Sequence, residues 1–220
     1  MDELLGTLPA HVTLLAVSKL HPAAKVRWLY QTYHVTHFGE NYAQEALAKM
    51  AALADLPLIW HFIGRLQKNK AKGVVGAFEL IHSVDSFELA ELINRLAAER
   101  GIRQRILMQI NLAGEATKGG FRPQDFSPDL LERLKKLSAI SVDGLMTMPP
   151  LSASADEARP YFRDLRKLLQ THCQVLPTLR VLSMGTSGDF RVAIEEGATM
   201  VRLGTVLFGP REPLSRSVGQ

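Results

Sequence analysis

Short apolar runs of strand length recur along the chain, and the stretches between them place apolar residues at a helical period. Such alternation predicts βα units and a parallel sheet. Eight runs read as strands: "TLLAVSK" (13–19), "HVTHFGE" (34–40), "LIWHFIG" (58–64), "ELIHSVD" (79–85), "RILMQIN" (105–111), "VDGLMTM" (142–148), "LRVLSMG" (179–185) and "TMVRLGT" (199–205). Between them, "DSFELAELINRLAAERG" predicts a helix with Asp85 as its cap, Glu88 three residues on and Gly101 as its stop. Its apolar stripe is Leu89, Leu92, Ile93 and Leu96. The segment "SGDFRVAIEEGA" predicts a shorter helix that starts near Ser187 or Gly188 and ends at Gly197. No Ser/Gly-rich linker and no shift of composition interrupts the series, so one domain over residues 1–220 is expected.

Eight units in about 200 residues match the lower end of the size range of (β/α)8 TIM barrels; a doubly wound open sheet is the alternative. The barrel is favoured by the polar residues at the ends of the runs: Lys19, Glu40 with Asn41, Asp85, Asn111, Thr147, Ser183, and Gly204 with Thr205. Active sites of barrels are built on that rim.

Composition narrows the function. A chain of 220 residues, 46% hydrophobic and 22% charged, can bury a substantial core. No apolar run approaches the roughly 20 residues of a membrane span, and the first nine residues lack the pattern of a signal peptide. Cys173 is the only cysteine, which excludes an intrachain disulfide and a cysteine-built metal site and fits a reducing cytoplasm. The net charge of +4 is spread among acidic residues, without the basic, aromatic-interleaved block that tracks nucleic acid. A small anionic ligand accounts for it equally well.

Lys19 ends the first run. At the mouth of a strand, desolvation and nearby cations would favour its neutral amine, the form that attacks an aldehyde. The same lysine could instead snorkel to the surface, and the motif alone leaves both readings open. The last two units add a phosphate site, which in barrels is commonly made by the loops after strands 7 and 8 with a short helix N-terminus. Here those loops are "SMGTSGDF" (183–190) and "RLGTVLFGP" (202–210). Ser183 and Thr205 offer hydroxyls, while Gly185 and Gly204 let backbone N–H groups approach an anion. Plain turns are the other reading. A reactive lysine with a phosphate cradle implies a phosphorylated aldehyde, and pyridoxal 5′-phosphate (PLP) is the common cofactor of that description.

Seven segments, in this order, carry a resemblance: "AVSK" (16–19), "FGENYAQEA" (38–46), "WHFIGRLQKNKAK" (60–72), "IHSVDS" (81–86), "GLMTM" (144–148), "LSMGTSGDFRVAIEEGATMVRLGT" (182–205) and "FGPR" (208–211). Together they resemble the pyridoxal phosphate homeostasis protein family. The resemblance implies one barrel of the alanine racemase N-terminal type (PLP fold type III), with PLP held as a Schiff base on Lys19. It implies that Ser183, Gly204 and Thr205, with backbone near Gly185, hold the phosphate, that Arg202 faces the pyridine nitrogen and that Asn41 lies beside the ring. A guanidinium there disfavours ring protonation and so makes the ring a poor electron sink. About fifteen residues follow the last strand, so the second domain that racemases use is not expected.

The implied function is intracellular PLP homeostasis: a cytoplasmic monomer that buffers or delivers the cofactor, to apoenzymes or under a regulatory protein, without nucleic acid or membrane. An amino-acid racemase is the alternative, and a Schiff-base aldolase of sugar phosphates fits less well because its lysine would sit on the wrong strand. Thr186 departs from the family's usual methionine, and the segment before the first strand is short. Lys68, Lys70 and Lys72 read as a solvated face or as a basic lip, and Lys118 as a second lysine on the rim. His61 and His82 read as strand-packing residues rather than metal ligands.

Overall fold

The structure, a computed structural model, describes residues 2–115, 119–150 and 153–209. After a short helix α1 (Asp2–Gly6), the strands are β1 (Thr13–Val17), β2 (His37–Glu40), β3 (Ile59–Phe62), β4 (Leu80–Val84), β5 (Gln104–Gln109), β6 (Ile140–Met146), β7 (Val181–Thr186) and β8 (Met200–Leu203). Helices alternate with them: α2 (Ala23–Tyr33), α3 (Ala43–Ala52), α4 (Ala71–Val74), α5 (Phe87–Glu99), α6 (Pro128–Lys135), α7 (Ala155–His172), α8 (Phe190–Glu195) and α9 (Thr205–Phe208). The eight strands close into a barrel in chain order, β1 pairing with β8 and every pair parallel. The open-sheet alternative is thereby excluded.

Helix starts follow local chemistry. Ser86, not Asp85, caps α5, its hydroxyl accepting from Leu89 N, because Ser86 adopts the extended backbone of a cap. Ser154 and Glu157 form a reciprocal capping box on α7. Helix α8 begins at Phe190 rather than near Ser187, because Asp189 Oδ1 accepts both the backbone N–H and the hydroxyl of Thr186 and keeps the preceding turn out of the helix. On α5 the expected stripe faces inward, with Leu89, Ile93 and Leu96 buried and Leu92 half-buried.

The main apolar core lies between strands and helices and includes Phe38, Ile81, Ile106, Leu145, Ile93 and Phe162. A second, smaller cluster fills the barrel: Leu15, Leu80, Leu107, Met146 and Met200, with Ile63 and Val181 against it. Inward residues recur every second position along a barrel strand. Two residues on from Leu80, Val181 and Met200 therefore stand His82, Ser183 and Arg202, all buried. The interior turns polar toward the C-terminal rim.

Candidate functional site

At that rim lies a cavity of about 560 Å³ whose wall draws on all eight strand ends. Val17 and Lys19 come from the β1 end, Asn41 from β2, Ile63 and Arg65 from β3, and Asp85 from β4. Gln109 and Asn111 come from the end of β5, Met146 and Met148 from that of β6, Thr186 and Ser187 from that of β7, and Arg202, Gly204 and Thr205 from that of β8.

Lys19 is half-buried, and its flanking residues are pinned from behind the wall. Ser18 donates to Glu40 Oε1 at 2.6 Å, and Lys49 Nζ donates to Ser18 O, Glu40 Oε1 and Glu45 Oε1 at 2.6, 2.7 and 2.6 Å. Glu45 Oε1 also accepts the backbone N–H of Leu20 at 2.6 Å; Leu20 has a left-handed φ of 62°, a conformation a leucine adopts only when held. Burial raises the Glu40 pKa, against the bonds from Lys49 and Ser18 that favour its carboxylate.

Asn41, a wall residue of the cavity, presents a buried Oδ1 with no hydrogen-bond partner among the described residues. Its backbone is set by Gly64, since a Cβ at Gly64 would overlap the Asn41 carbonyl.

Arg202 is buried. It donates through one terminal nitrogen to Ser183 O and Oγ, at 2.6 and 2.8 Å, and through the other to Thr147 O at 2.9 Å. Desolvation lowers its pKa to about 10, so it remains a cation at neutral pH. These bonds leave the Nε–H and one terminal hydrogen for whatever fills the cavity.

Lys19, Asn41, Arg202, Gly204 and Thr205 of the expected set share one wall, whereas Ser183 and Gly185 stand behind it. Ser183 is fully buried beneath the cavity, its hydroxyl engaged by Arg202 and by His82 Nδ1 at 3.0 Å. Gly185 has φ 90°, and a Cβ there would meet Ala193 Cβ at 2.6 Å, so only a glycine lets the chain turn this closely against α8. Of the two serines in this loop Ser187 is the one that lines the wall, and its Oγ accepts the backbone N–H of Gly204 at 3.3 Å and of Val206 at 3.5 Å. The positive φ of Gly185 lies between the two serines of "SMGTS", and Ser183 is buried beneath the cavity while Ser187 lines it. Thr147, another expected rim residue, spends its hydroxyl on Ile110 O at 2.8 Å. Lys68, Lys70 and Lys72 are exposed and absent from the wall, which agrees with a solvated face. Lys118 and Arg211 lie outside the described residues.

A model of the alanine racemase N-terminal domain matches residues 2–212. A pyridoxal phosphate homeostasis protein of Aquifex aeolicus is 48% identical over 202 residues, 90% of this chain and 87% of the relative. The chain belongs to the pyridoxal phosphate homeostasis protein family. The structure of PipY of Synechococcus elongatus PCC7942 with PLP bound superposes with a TM-score of 0.87 at 44% identity, covering 94% of this chain and 97% of PipY. An alanine racemase of Clostridium difficile shares the fold alone, with a TM-score of 0.74 at 18% identity, and this chain spans 54% of its length. Among the described residues no helix is long and apolar enough to cross a membrane, and no cluster of side chains is suited to hold a metal ion.

Proposed function

We propose that the chain binds PLP reversibly through Lys19 and serves its homeostasis, holding and releasing the cofactor rather than turning over a substrate. The observation that carries this reading is the convergence on one cavity of a lysine, an unpartnered buried amide oxygen, a buried arginine and a hydroxyl-lined pair of loops. These groups match the aldehyde, the ring substituents and nitrogen, and the phosphate of PLP, so the donor set fits the group. When bound, PLP supplies an electrophilic aldehyde and a ring able to accept electron density.

The chain's own residues divide the rest. Lys19 provides the amine, on a turn held by Glu40, Glu45 and Lys49. Ser187 and Thr205 offer hydroxyls, and Gly204 backbone, to the phosphate. Arg202 directs its remaining hydrogens at the ring nitrogen and, as a cation, opposes protonation there. Asn41 accepts a hydrogen bond from the ring substituents through Oδ1. This division extends the family's name, and the PLP carried by PipY, to this chain. Cytoplasmic location, action as a monomer and hand-over to apoenzymes or a regulatory protein belong to the same proposal.

The purified protein should be yellow, and borohydride should fix the cofactor to a peptide containing Lys19. A label found predominantly on Lys118 would overturn the assignment. Racemase-like activity is the second reading, favoured by the shared fold. Turnover of any member of an amino-acid panel by the PLP-loaded protein would establish it in place of the carrier role.

A further inference from the structure

The barrel interior holds a row of polar side chains that runs from one mouth to the other. His37 on β2 lines a second cavity, of about 400 Å³, together with Leu5, Leu14 and Tyr33. From there His37 Nδ1 meets His61 Nε2 at 2.9 Å, His61 Nδ1 meets His82 Nε2 at 3.0 Å, and His82 Nδ1 meets Ser183 Oγ at 3.0 Å. Ser183 Oγ accepts from Arg202 at 2.8 Å, and Arg202 lines the first cavity. The row therefore spans the barrel between these two cavities, through an interior otherwise lined by Leu, Ile, Val and Met.

Hydrogen counting gives the row a direction. Burial lowers the pKa of all three histidines, that of His61 to about 3 and that of His82 well below the usual value, so each ring is neutral. A neutral imidazole donates through one nitrogen and accepts through the other, and each contact joins Nδ1 of one ring to Nε2 of the next. One tautomer thus sets all three. If the rings donated toward Ser183, its oxygen would accept from both His82 and Arg202. Its own hydrogen would then be buried with no acceptor among the described residues. In the opposite direction every hydrogen inside the row is used. Ser183 O–H donates to His82 Nδ1, His82 Nε2–H to His61 Nδ1 and His61 Nε2–H to His37 Nδ1. The remaining Nε2–H sits on His37, the half-buried ring at the second cavity.

We propose that His37, His61 and His82 are positioning residues, a tautomer-locked chain that holds the Ser183 lone pair toward Arg202. With its hydrogen committed to His82, the Ser183 hydroxyl presents only lone pairs to the guanidinium and keeps the bond that helps to orient Arg202 toward a ligand ring. Its effect on a bound ligand rests on the PLP-binding reading above; its tautomers do not, and can be measured without ligand.

Nitrogen NMR of ligand-free protein labelled in histidine should show His61 and His82 with unprotonated Nδ1 and protonated Nε2 at neutral pH. A protonated Nδ1 on either ring would overturn the proposal. His61→Leu cuts the row in its middle, away from the first cavity, whereas His61→Gln can still both donate and accept. With PLP added, His61→Leu should shift the nitrogen resonance of the cofactor ring and weaken binding by about fivefold, the effect of losing one hydrogen bond, and His61→Gln should recover both. A folded His61→Leu protein with unchanged ring resonance and affinity would refute the positioning role. If His61→Leu fails to fold, the tautomers of the wild-type chain decide. If the wild-type chain bound no PLP, the function proposed above would fall, while the tautomer measurement would still judge the chain.

Discussion

Ser183 and Ser187 make a controlled pair, four residues apart in the chain and on opposite sides of the cavity wall. Ser187→Ala and Thr205→Val should each weaken PLP binding by about 1.5–3 kcal/mol, the range for a hydrogen bond to a charged group, and leave phosphate-free pyridoxal unaffected. Ser183→Ala should weaken PLP and pyridoxal alike, because it acts through Arg202 at the ring; titration of the three variants with both ligands separates the two cases. Lys19→Ala should abolish the covalent link and leave the denaturation midpoint near that of the wild type, since a half-buried rim lysine adds little to the core. Lys19, Gly204 and Thr205, which line the cavity, were legible as rim residues in the sequence because each stands just past the end of a strand, whereas Arg202 inside β8 entered only through the family resemblance. Ser187 was not, because a glycine with positive φ intervenes and redirects the chain. Nor was the histidine row: its partners lie on neighbouring strands, 24 and 21 residues apart, so no local spacing betrays them.

At the level of elements, all eight strands and their order could be read from the pattern, while their ends could not. The second run begins at His34 in the sequence reading, yet β2 starts at His37, because His34 takes a left-handed φ of 54° and donates its N–H to Tyr30 O to close α2. Apolar periodicity carries no trace of such a cap. The loop ahead of α8 depends on Gly185, and Gly185→Ala should cost more than about 1 kcal/mol, measured by urea denaturation, because it adds a clash with Ala193 to an unfavourable φ. Behind the Lys19 turn, Lys49→Met would leave Glu40 buried without its cation and should cost about 3–5 kcal/mol. The same variant should slow attachment of PLP, visible as a slower rise of the yellow colour, as the Leu20 turn loses its hold.

For the molecule as a whole, the neutral histidines inside the barrel set the response to acid. Their folded pKa values lie below the value near 6.5 expected in the unfolded chain, so the unfolded state binds more protons below that pH. Stability should be full above pH 6.5 or so and fall as the pH drops toward about 3, by up to about 1.4 kcal/mol per pH unit for each of His61 and His82. Urea midpoints at pH 7, 6 and 5 would show it, and His61→Gln should flatten the slope. Barrel closure has its own consequence. Lys19 follows the first strand and Thr205 the last, and these two strands meet in the ladder from Thr13 opposite Met200 to Ala16 opposite Leu203. A cofactor tied to both would straddle the seam where the first and eighth strands come together, like a clasp on a bracelet. A nascent chain still lacking β8 would own the lysine but not the cradle, so tight loading waits for that strand. Once loaded, the barrel should open at the seam less often, and backbone amides of β1 and β8 should exchange with solvent more slowly than those of strands remote from it.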